Sequence, residues 1–304
     1  MAKSQDPKAT ILVTGGAGYL GSALVSTLLA SSYKVHALDL GCYGMDSLFH
    51  LAGHPNLAIY RGDVCHPLEL DHAARYCDLV VHLASVRSGQ ATIESTLMDG
   101  TICVASLGIP VIHISGPVSS QPQLDAESII LEESAGVVFR AASIFGVSPR
   151  MRLDLLVHDW CFELYHRSRL KCHDSEATRS LVHINDVVGA MVWAVAKILF
   201  PTSKGSLLGN TYDLTNPDLN TTKWDLAMKI GAILHEACGR GVRIDKDYWD
   251  TAPDIPVEYM DPKPLSQAGY KCKLSLEAGV TDLLRIIPAF DFSEKARYMA
   301  KSRR

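Results

Sequence analysis

The eight cysteines of this 304-residue chain include no C-x-x-C pair, and nothing ahead of Ile11 resembles a secretory leader. That pattern is expected of a reduced, cytoplasmic protein and not of a disulfide framework. No apolar stretch is long enough to span a bilayer: the longest, Met191 to Phe200, is about half the required length and is interrupted by Lys197. An excess of basic charge is also missing, with 29 Lys and Arg against 33 Asp and Glu, a net charge of −4 and both signs mixed along the chain. No nucleic-acid or membrane partner is expected on electrostatic grounds, and the basic stretch Lys295 to Arg304 reads as a solvated end. Twelve histidines are present without an H-E-x-x-H arrangement; His158, Cys161 and His166 share one helical stretch but lack that spacing, so no metal site is expected. Internal repeats and low-complexity segments are absent too. What is abundant is apolar residues, 47% of the chain, enough for a sizeable core in one large domain or a large domain with a smaller one built on it.

The most informative segment is T-G-G-A-G-Y-L-G-S, Thr14 to Ser22, behind the apolar run Ile11 to Val13 and ahead of a helix-like run, Ser22 to Leu29. Gly15, Gly18 and Gly21 stand at G-x-x-G-x-x-G spacing. A glycine-rich turn from strand to helix lets the backbone approach a pyrophosphate, whose charge then meets free amides at the helix's positive end. About 20 residues on, after a second apolar run (Lys34 to Leu38), comes Asp39, where a carboxylate accepts from ribose hydroxyls. Gly15, Gly18, Tyr19, Leu20, Gly21 and Asp39 are therefore candidate cofactor residues. Asp39 favours NAD over NADP, because it would repel a 2′-phosphate.

Strand-like runs recur at Ile11 to Thr14, Lys34 to Leu38, Ala58 to Arg61, Leu79 to Leu83, Val111 to Ile114 and Val137 to Arg140, with helix-like segments between them. This alternation predicts an α/β fold, a doubly wound parallel (Rossmann) sheet. Several runs are nearly all apolar, as strands buried on both faces are. Ligands in such sheets bind at the carboxyl ends of the strands, so Gly15, Asp39, Ser85 and Ser115 are expected to border one crevice. After Gly146 the rhythm changes: helices are predicted over Leu153 to Tyr165, Asn185 to Phe200 and Thr221 to Ala237, the last capped by Thr221 or Asn220, with a short strand at Tyr212 to Leu214 and a loop over Pro253 to Pro264. Residues 1–147 are expected to form the dinucleotide-binding domain. Residues 148–304 are expected to form mainly a smaller substrate-binding lobe, with elements returning to the sheet.

Taken together, these segments resemble the extended short-chain dehydrogenase/reductase superfamily, in its branch of nucleotide-sugar epimerases and dehydratases, over roughly Thr10 to Ile286. R-G-D-V at Arg61 to Val64 is similar to the superfamily's adenine-contacting segment, which implies cofactor roles for Asp63 and Val64; an acid there is equally an ordinary helix cap. D-L-V-V-H-L-A-S at Asp78 to Ser85 is similar to its fourth strand, which implies Leu83, Ala84 and Ser85 beside the cofactor. F-R-A-A-S-I-F-G at Phe139 to Gly146 resembles the segment passing the nicotinamide. S-P-R-M-R-L-D-L-L-V-H-D-W at Ser148 to Trp160 and R-S-L-V-H-I-N-D-V at Arg179 to Val187 resemble the sugar-nucleotide lobe. The resemblance implies that Arg179 contacts substrate phosphates, unless it forms a surface salt bridge, with Arg150 and Arg152 in a similar position. It places His158 where relatives have an asparagine facing the substrate phosphate, and Arg87 and Ser143 along the substrate crevice. His183 and Asp186 are expected to brace the lobe, Trp160, Phe162 and Tyr165 to be core aromatics, and His82 and His113 to be hydrogen-bonded core histidines.

The chemistry of that superfamily uses a tyrosine four residues ahead of a lysine on the helix after the fifth strand, the lysine lowering the phenol's pKa from about 10. Counting back from Asp125-Ala126-Glu127, the tyrosine position falls on Ser119 and the lysine position on Gln123, and no Y-x-x-x-K occurs between Ser115 and Arg140. The loop between the fifth strand and this helix is also shorter than the resemblance implies, and Leu97 stands where an asparagine is usual. A serine is less acidic than tyrosine and too short to span the same gap. The expectation is therefore an atypical NAD(H)-binding enzyme with Ser115 and Ser119 as catalytic candidates, performing an isomerisation, dehydration or cyclisation in sugar-nucleotide or secondary metabolism. Two alternatives stay open: a conventional nucleotide-sugar epimerase or dehydratase with a substituted proton carrier, and a non-catalytic NAD-sensing or partner-binding protein. The resemblance also implies a homodimer packed through helices.

Overall fold

A computed structural model describes residues 6–84, 93–117, 120–201, 205–247 and 260–298. In the first half, β1 (Thr10–Thr14), α1 (Tyr19–Ala30), β2 (Lys34–Asp39), β3 (Leu57–Arg61), α2 (Pro67–Ala74), β4 (Leu79–His82), α3 (Ile93–Ala105), β5 (Val111–Ser115), α4 (Gln121–Glu133) and β6 (Gly136–Ala141) alternate strand with helix, as the apolar rhythm predicts, except that β2 and β3 are joined by a short 3-10 helix, Asp46–Leu51. The second half contains β7 (Ser143–Phe145), α5 (Leu156–Arg167), β8 (Arg169–Cys172), β9 (Thr178–Arg179), β10 (Leu181–His183), α6 (Ile184–Leu199), β11 (Thr211–Leu214), β12 (Thr221–Thr222), α7 (Lys223–Cys238), β13 (Arg243–Lys246), α8 (Lys263–Ala268), α9 (Leu276–Ile286) and α10 (Phe292–Arg297). Among the described residues no helix is long and apolar enough to cross a membrane.

Seven strands form one parallel sheet in the order β11-β6-β5-β4-β1-β2-β3. The order reverses between β1 and β4, which is where a doubly wound sheet opens a crevice at its carboxyl edge. Side chains alternate across the sheet. Ile11, Val13, Val81 and Phe139 meet α1 and α6 on one face, while Leu12, Val80, Val111 and Val138 meet α2, α3 and α4 on the other. Both faces are covered, which explains strands that are apolar throughout.

Past β6 the chain leaves the sheet. β7 pairs with β10, β8 with β13 and β9 with β12, while β11 returns as the seventh strand of the main sheet. A second core lies among α5, α7 and α9, around Phe162, Leu226, Ile230 and Val280. Trp160 and Phe162 are buried in it and Tyr165 packs at its margin. Lys295 fastens the final helix to α5, its ammonium 2.6 Å from Asp159 and 2.7 Å from Glu163.

Several boundaries differ from expectation, among them the start of α5 at Leu156 in place of Leu153. Helix α1 starts at Tyr19, earlier than Ser22, because the extended Gly18 closes the first helical turn through Ser22 N–H to Gly18 O. Helix α7 is capped by Thr222, whose hydroxyl accepts from Asp225 N–H, and not by Thr221 or Asn220: the pairing of Thr221 and Thr222 with β9 keeps both extended. Residues 253–259 of the expected loop lie outside the described residues, and α8 begins at Lys263 within its predicted end.

Gly21 is held to glycine by packing, since a Cβ there would collide with Gly15 O and lie 2.8 Å from Gly16 Cα. Gly21→Ala is expected to cost about 1–3 kcal/mol, as overpacking of a close contact does, read as a lower urea midpoint. An unchanged midpoint would contradict this packing.

Candidate active site

The turn from β1 into α1 is shaped by its backbone. Gly15 lies at φ +70°, the left-handed region, and a Cβ on it would stand 2.9 Å from the main chain of Leu83 and Ala84. Gly18 is different. At φ −73° and ψ 179° its conformation suits any residue, and the one heavy atom near its Cβ position is Gly15 O at 3.1 Å. The start of α1 has no side-chain cap and no acidic residue in its first turn, so its positive end is presented by backbone alone, an arrangement that accepts an anion. The cradle fits a phosphate-bearing ligand.

Asp39 closes one side of this turn. One carboxylate oxygen accepts from Ala17 N–H at 3.0 Å and the other from Gly41 N–H at 2.8 Å. Each oxygen retains a second lone pair, so the residue braces the turn and can still accept from a ligand hydroxyl. On the other side, Thr14 Oγ1 accepts from Leu83 N–H at 3.2 Å and Ala84 N–H at 3.3 Å, holding the exit of β4 against Gly15. Asp63 caps its own turn, accepting from Cys65 N–H at 2.9 Å. Val64 packs beneath α3, where a Cβ on Gly100 would lie 2.9 Å from it. Both therefore have structural work of their own; Asp63 closes a turn ahead of α2 and does not cap that helix, whose N-cap position is His66.

Below the crevice the sheet turns polar. The register sets Thr14 beside His82, His82 beside His113, and Ser115 beside Arg140, all on the face whose upstream rows are Leu12, Val80 and Val111. Because Thr14 Oγ1 already accepts two amides, its proton points to His82 Nδ1 at 2.8 Å. His82 Nε2–H then faces Thr101 Oγ1 at 3.5 Å, and Thr101 donates to Leu97 O at 2.8 Å. His113 stacks on His82 with ring centroids 5.3 Å apart. Burial pushes the His82 pKa down to about 3, with His113 adding to the effect. It pushes His113 down to about 4, against the opposing pull of Glu127 and of the His82 main chain. Both rings are neutral near pH 7.

His82 is the hydrogen-bonded core histidine that was expected; His113 is buried beside it and bonded to the His82 main chain, but leaves one nitrogen over. His113 Nδ1 and Ser115 Oγ are buried without a hydrogen-bond partner among the described residues. They border a cavity of about 210 Å³ together with Leu83, Ala84, Leu97 and Gln123. A larger depression of about 570 Å³ runs over Ile59, Leu68 and His72 and contains none of the candidate residues. Gln123 lies in the first turn of α4, its Oε1 accepting from Ser120 N–H at 2.9 Å. Ser85, Arg87 and Ser119 lie outside the described residues.

The lobe meets the turn through α1. Tyr19 is buried and its hydroxyl donates to Gly146 O at 2.8 Å, burial holding its pKa well above the usual phenol range; only its main chain is available to a ligand. Leu20 is half-buried at the same helix start. His158 departs from the substrate-facing role expected of it. It is fully buried, its Nε2 accepts from Gly146 N–H at 2.8 Å, and its Nδ1–H donates to Arg152 O at 2.6 Å, which leaves neither nitrogen for a ligand. Burial pushes its pKa down to about 4. His183 Nδ1 caps α6 through Asn185 N–H, and Asp186 accepts from Lys273 and Leu274 N–H, so both brace the lobe.

Ser143 N–H bonds Ser180 O, bringing β7 beside the half-buried Arg179. Arg179 donates to Thr178 O at 2.9 Å, and among the described residues no carboxylate pairs with it, unlike Arg152, which pairs with Asp154 at 2.7 Å. Arg150 lies 5.7 Å and 5.5 Å from the ring centroids of Tyr43 and Tyr298.

Residues 11–101 match the model of the NAD dependent epimerase/dehydratase family. UDP-glucuronic acid decarboxylase 1 of Arabidopsis thaliana is 27% identical over 226 residues, 60% of this chain and 51% of that protein; the chain thus spans about half the length of this relative. dTDP-glucose 4,6-dehydratase of Neisseria gonorrhoeae is 41% identical over 83 residues, 26% of this chain and 24% of that one. Among solved structures, UDP-glucuronic acid 4-epimerase from Bacillus cereus, in complex with UDP-glucuronic acid and NAD, superposes with a TM-score of 0.76 at 20% identity, covering 92% of this chain and 99% of that one. dTDP-glucose 4,6-dehydratase from Bacillus anthracis in complex with NAD gives 0.73 at 17% identity, covering 92% and 97%. These likenesses establish the fold, an α/β Rossmann-like architecture on a seven-stranded parallel sheet.

The buried imidazoles make a pH prediction. Their folded pKa values of about 3 to 4 lie below the unfolded value of about 6.5, so below about pH 6.5 the unfolded chain binds more protons. Stability present above that pH is lost progressively as pH falls toward about 4, by on the order of a few kcal/mol in sum. Urea midpoints that stay constant across this window would contradict the neutral, buried placement.

Proposed function

We propose that this chain is an NAD(H)-binding enzyme acting on a nucleotide sugar, or a related small molecule, by isomerisation, dehydration or cyclisation, at a site that does not use a tyrosine and lysine pair. The observation that carries the reading is the start of α1, which follows a glycine-rich turn and has neither a side-chain cap nor an acidic residue in its first turn. A phosphate-bearing ligand accounts for that bareness. Under this reading the amides at Tyr19, Leu20 and Gly21 take the pyrophosphate, Asp39 accepts from a ribose hydroxyl, and Asp63, Val64, Leu83 and Ala84 line the adenine side. The family match and the NAD bound to the solved neighbours support the same choice. When bound, NAD supplies a hydride acceptor.

On the substrate side, Arg179 lacks a carboxylate partner among the described residues and suits a phosphate, and Ser143 lies near it. The reacting part of the substrate falls to the cavity at Ser115; Ser119, the second candidate, lies outside the described residues. Helix α4 reads QPQLDAESIILEE. The position that would hold a catalytic lysine is Gln123, engaged in capping the helix, which supports chemistry by positioning and polarisation.

Gly18→Ala, whose Cβ would meet Gly15 O at 3.1 Å and so displace the turn, is expected to weaken NAD binding at least about tenfold, more than 1.4 kcal/mol; unchanged affinity would remove the assigned cradle. Incubation with UDP-glucose, UDP-glucuronic acid and dTDP-glucose is expected to convert at least one of them, followed by NADH absorbance and product mass. NAD binding without conversion of any would favour a sensing or partner-binding protein over an enzyme.

A further inference from the structure

We infer that His113 is a ligand-contacting residue, its Nδ1 holding, together with Ser115 Oγ, one uncharged hydroxyl or carbonyl group of the substrate in the cavity between α3 and α4. The inference rests on the sugar-nucleotide reading above and assigns a group to it that the sequence reading had placed in the core.

Two polar side-chain atoms, on residues only 6% and 8% exposed, stand two positions apart on one strand and border one cavity without a partner among the described residues. Leaving a buried polar atom unpaired costs about 1–3 kcal/mol, and the same row of β5 begins with Val111, so an apolar residue is acceptable on this face. The local framework can also satisfy an imidazole when structure alone requires it: His82, stacked against His113, has both nitrogens engaged by Thr14 and Thr101. The unpaired atoms of His113 and Ser115 thus have a use that the described residues do not supply.

Charge sets the kind of group. The side chains facing His113 are the neutral His82 and, from α4, Glu127, whose carboxylate is already bound by Arg140 at 2.6 Å. None of the described residues bordering the cavity is charged near neutral pH. A charged ligand group would lose hydration there without a counterion, whereas a hydroxyl or carbonyl loses little. A neutral imidazole beside a serine hydroxyl offers both a donor and an acceptor, the complement of such a group.

The test compares binding of UDP-glucose with UDP, and of dTDP-glucose with dTDP, to the full chain by calorimetry, the ratio in each pair being the increment due to the sugar. His113→Phe keeps a ring for the stack but deletes Nδ1, and is expected to reduce the increment about 3- to 10-fold, the range of one neutral hydrogen bond, while leaving UDP affinity unchanged. His113→Asn, whose amide reaches the place of Nδ1, is expected to restore much of it. Ser115→Ala is expected to lower the increment while leaving the thermal midpoint unchanged or raised, because it removes an unpaired buried oxygen; a purely structural role would lower the midpoint and spare the increment. Should His113→Phe not fold, Ser115→Ala and His113→Asn still decide: an undiminished increment in the first, or an increment in the second no better than that of UDP alone, overturns the inference. An increment retained in His113→Phe overturns it directly. If wild type binds neither sugar nucleotide better than its nucleotide, the substrate reading itself fails, a result distinct from either.

Discussion

One backbone contact governs the site: the turn at Gly15 pressed against the main chain of Leu83 and Ala84 as β1 and β4 leave the sheet together. No side chain fits between them, so position 15 is glycine in a left-handed conformation, and Thr14 directly before it accepts both amides across the gap. The direction in which α1 departs follows from that turn, and Gly21 lets the first helical turn lie back against Gly15 and Gly16. The uncapped helix start then opens at the reversal of strand order. Asp39 ties the next strand to the same turn.

Thr14 also links this cradle to the polar layer beneath it. Its hydroxyl proton goes to His82, His82 passes the hydrogen-bond chain to Thr101 on α3, and His113 stacks on His82. The crevice side of the turn and the cavity side of the sheet are therefore two sides of one residue. Burial keeps both imidazoles neutral, so the layer works through oriented hydrogen bonds and not through charge. On the other flank, α1 is fixed to the lobe by Tyr19 and Gly146, with His158 bonded to the same Gly146.

Much of this was legible in the amino-acid order, for physical reasons. Apolar runs of strand length and glycines at fixed spacing are local signals, and the sheet, its strands and the turn follow from them. The missing information is non-local. His158 resembles a pocket residue until Gly146 and Arg152, 12 and six positions away, claim its two nitrogens. Thr222 displaces Thr221 as a cap because a strand more than 40 residues earlier pairs with both. Asp39 was read as a ligand group, and its second task, holding Ala17, depends on the turn's geometry. His113 carried a signal that periodicity could have used: in V-I-H-I-S the two polar residues alternate onto one face of a buried strand. Which of its nitrogens lacks a partner is visible only once His82 and the helices are in place.

The central claim is that the turn at Gly15 to Gly21 is a working dinucleotide cradle. Its most direct test is to denature the purified protein, identify any released nucleotide by mass spectrometry, and titrate the emptied, refolded chain with NAD, NADH, NADP and NADPH. The account predicts bound NAD or NADH, or clear affinity for them, with much weaker binding of the phosphorylated forms because of Asp39. No released nucleotide and no measurable affinity for any of the four would contradict it.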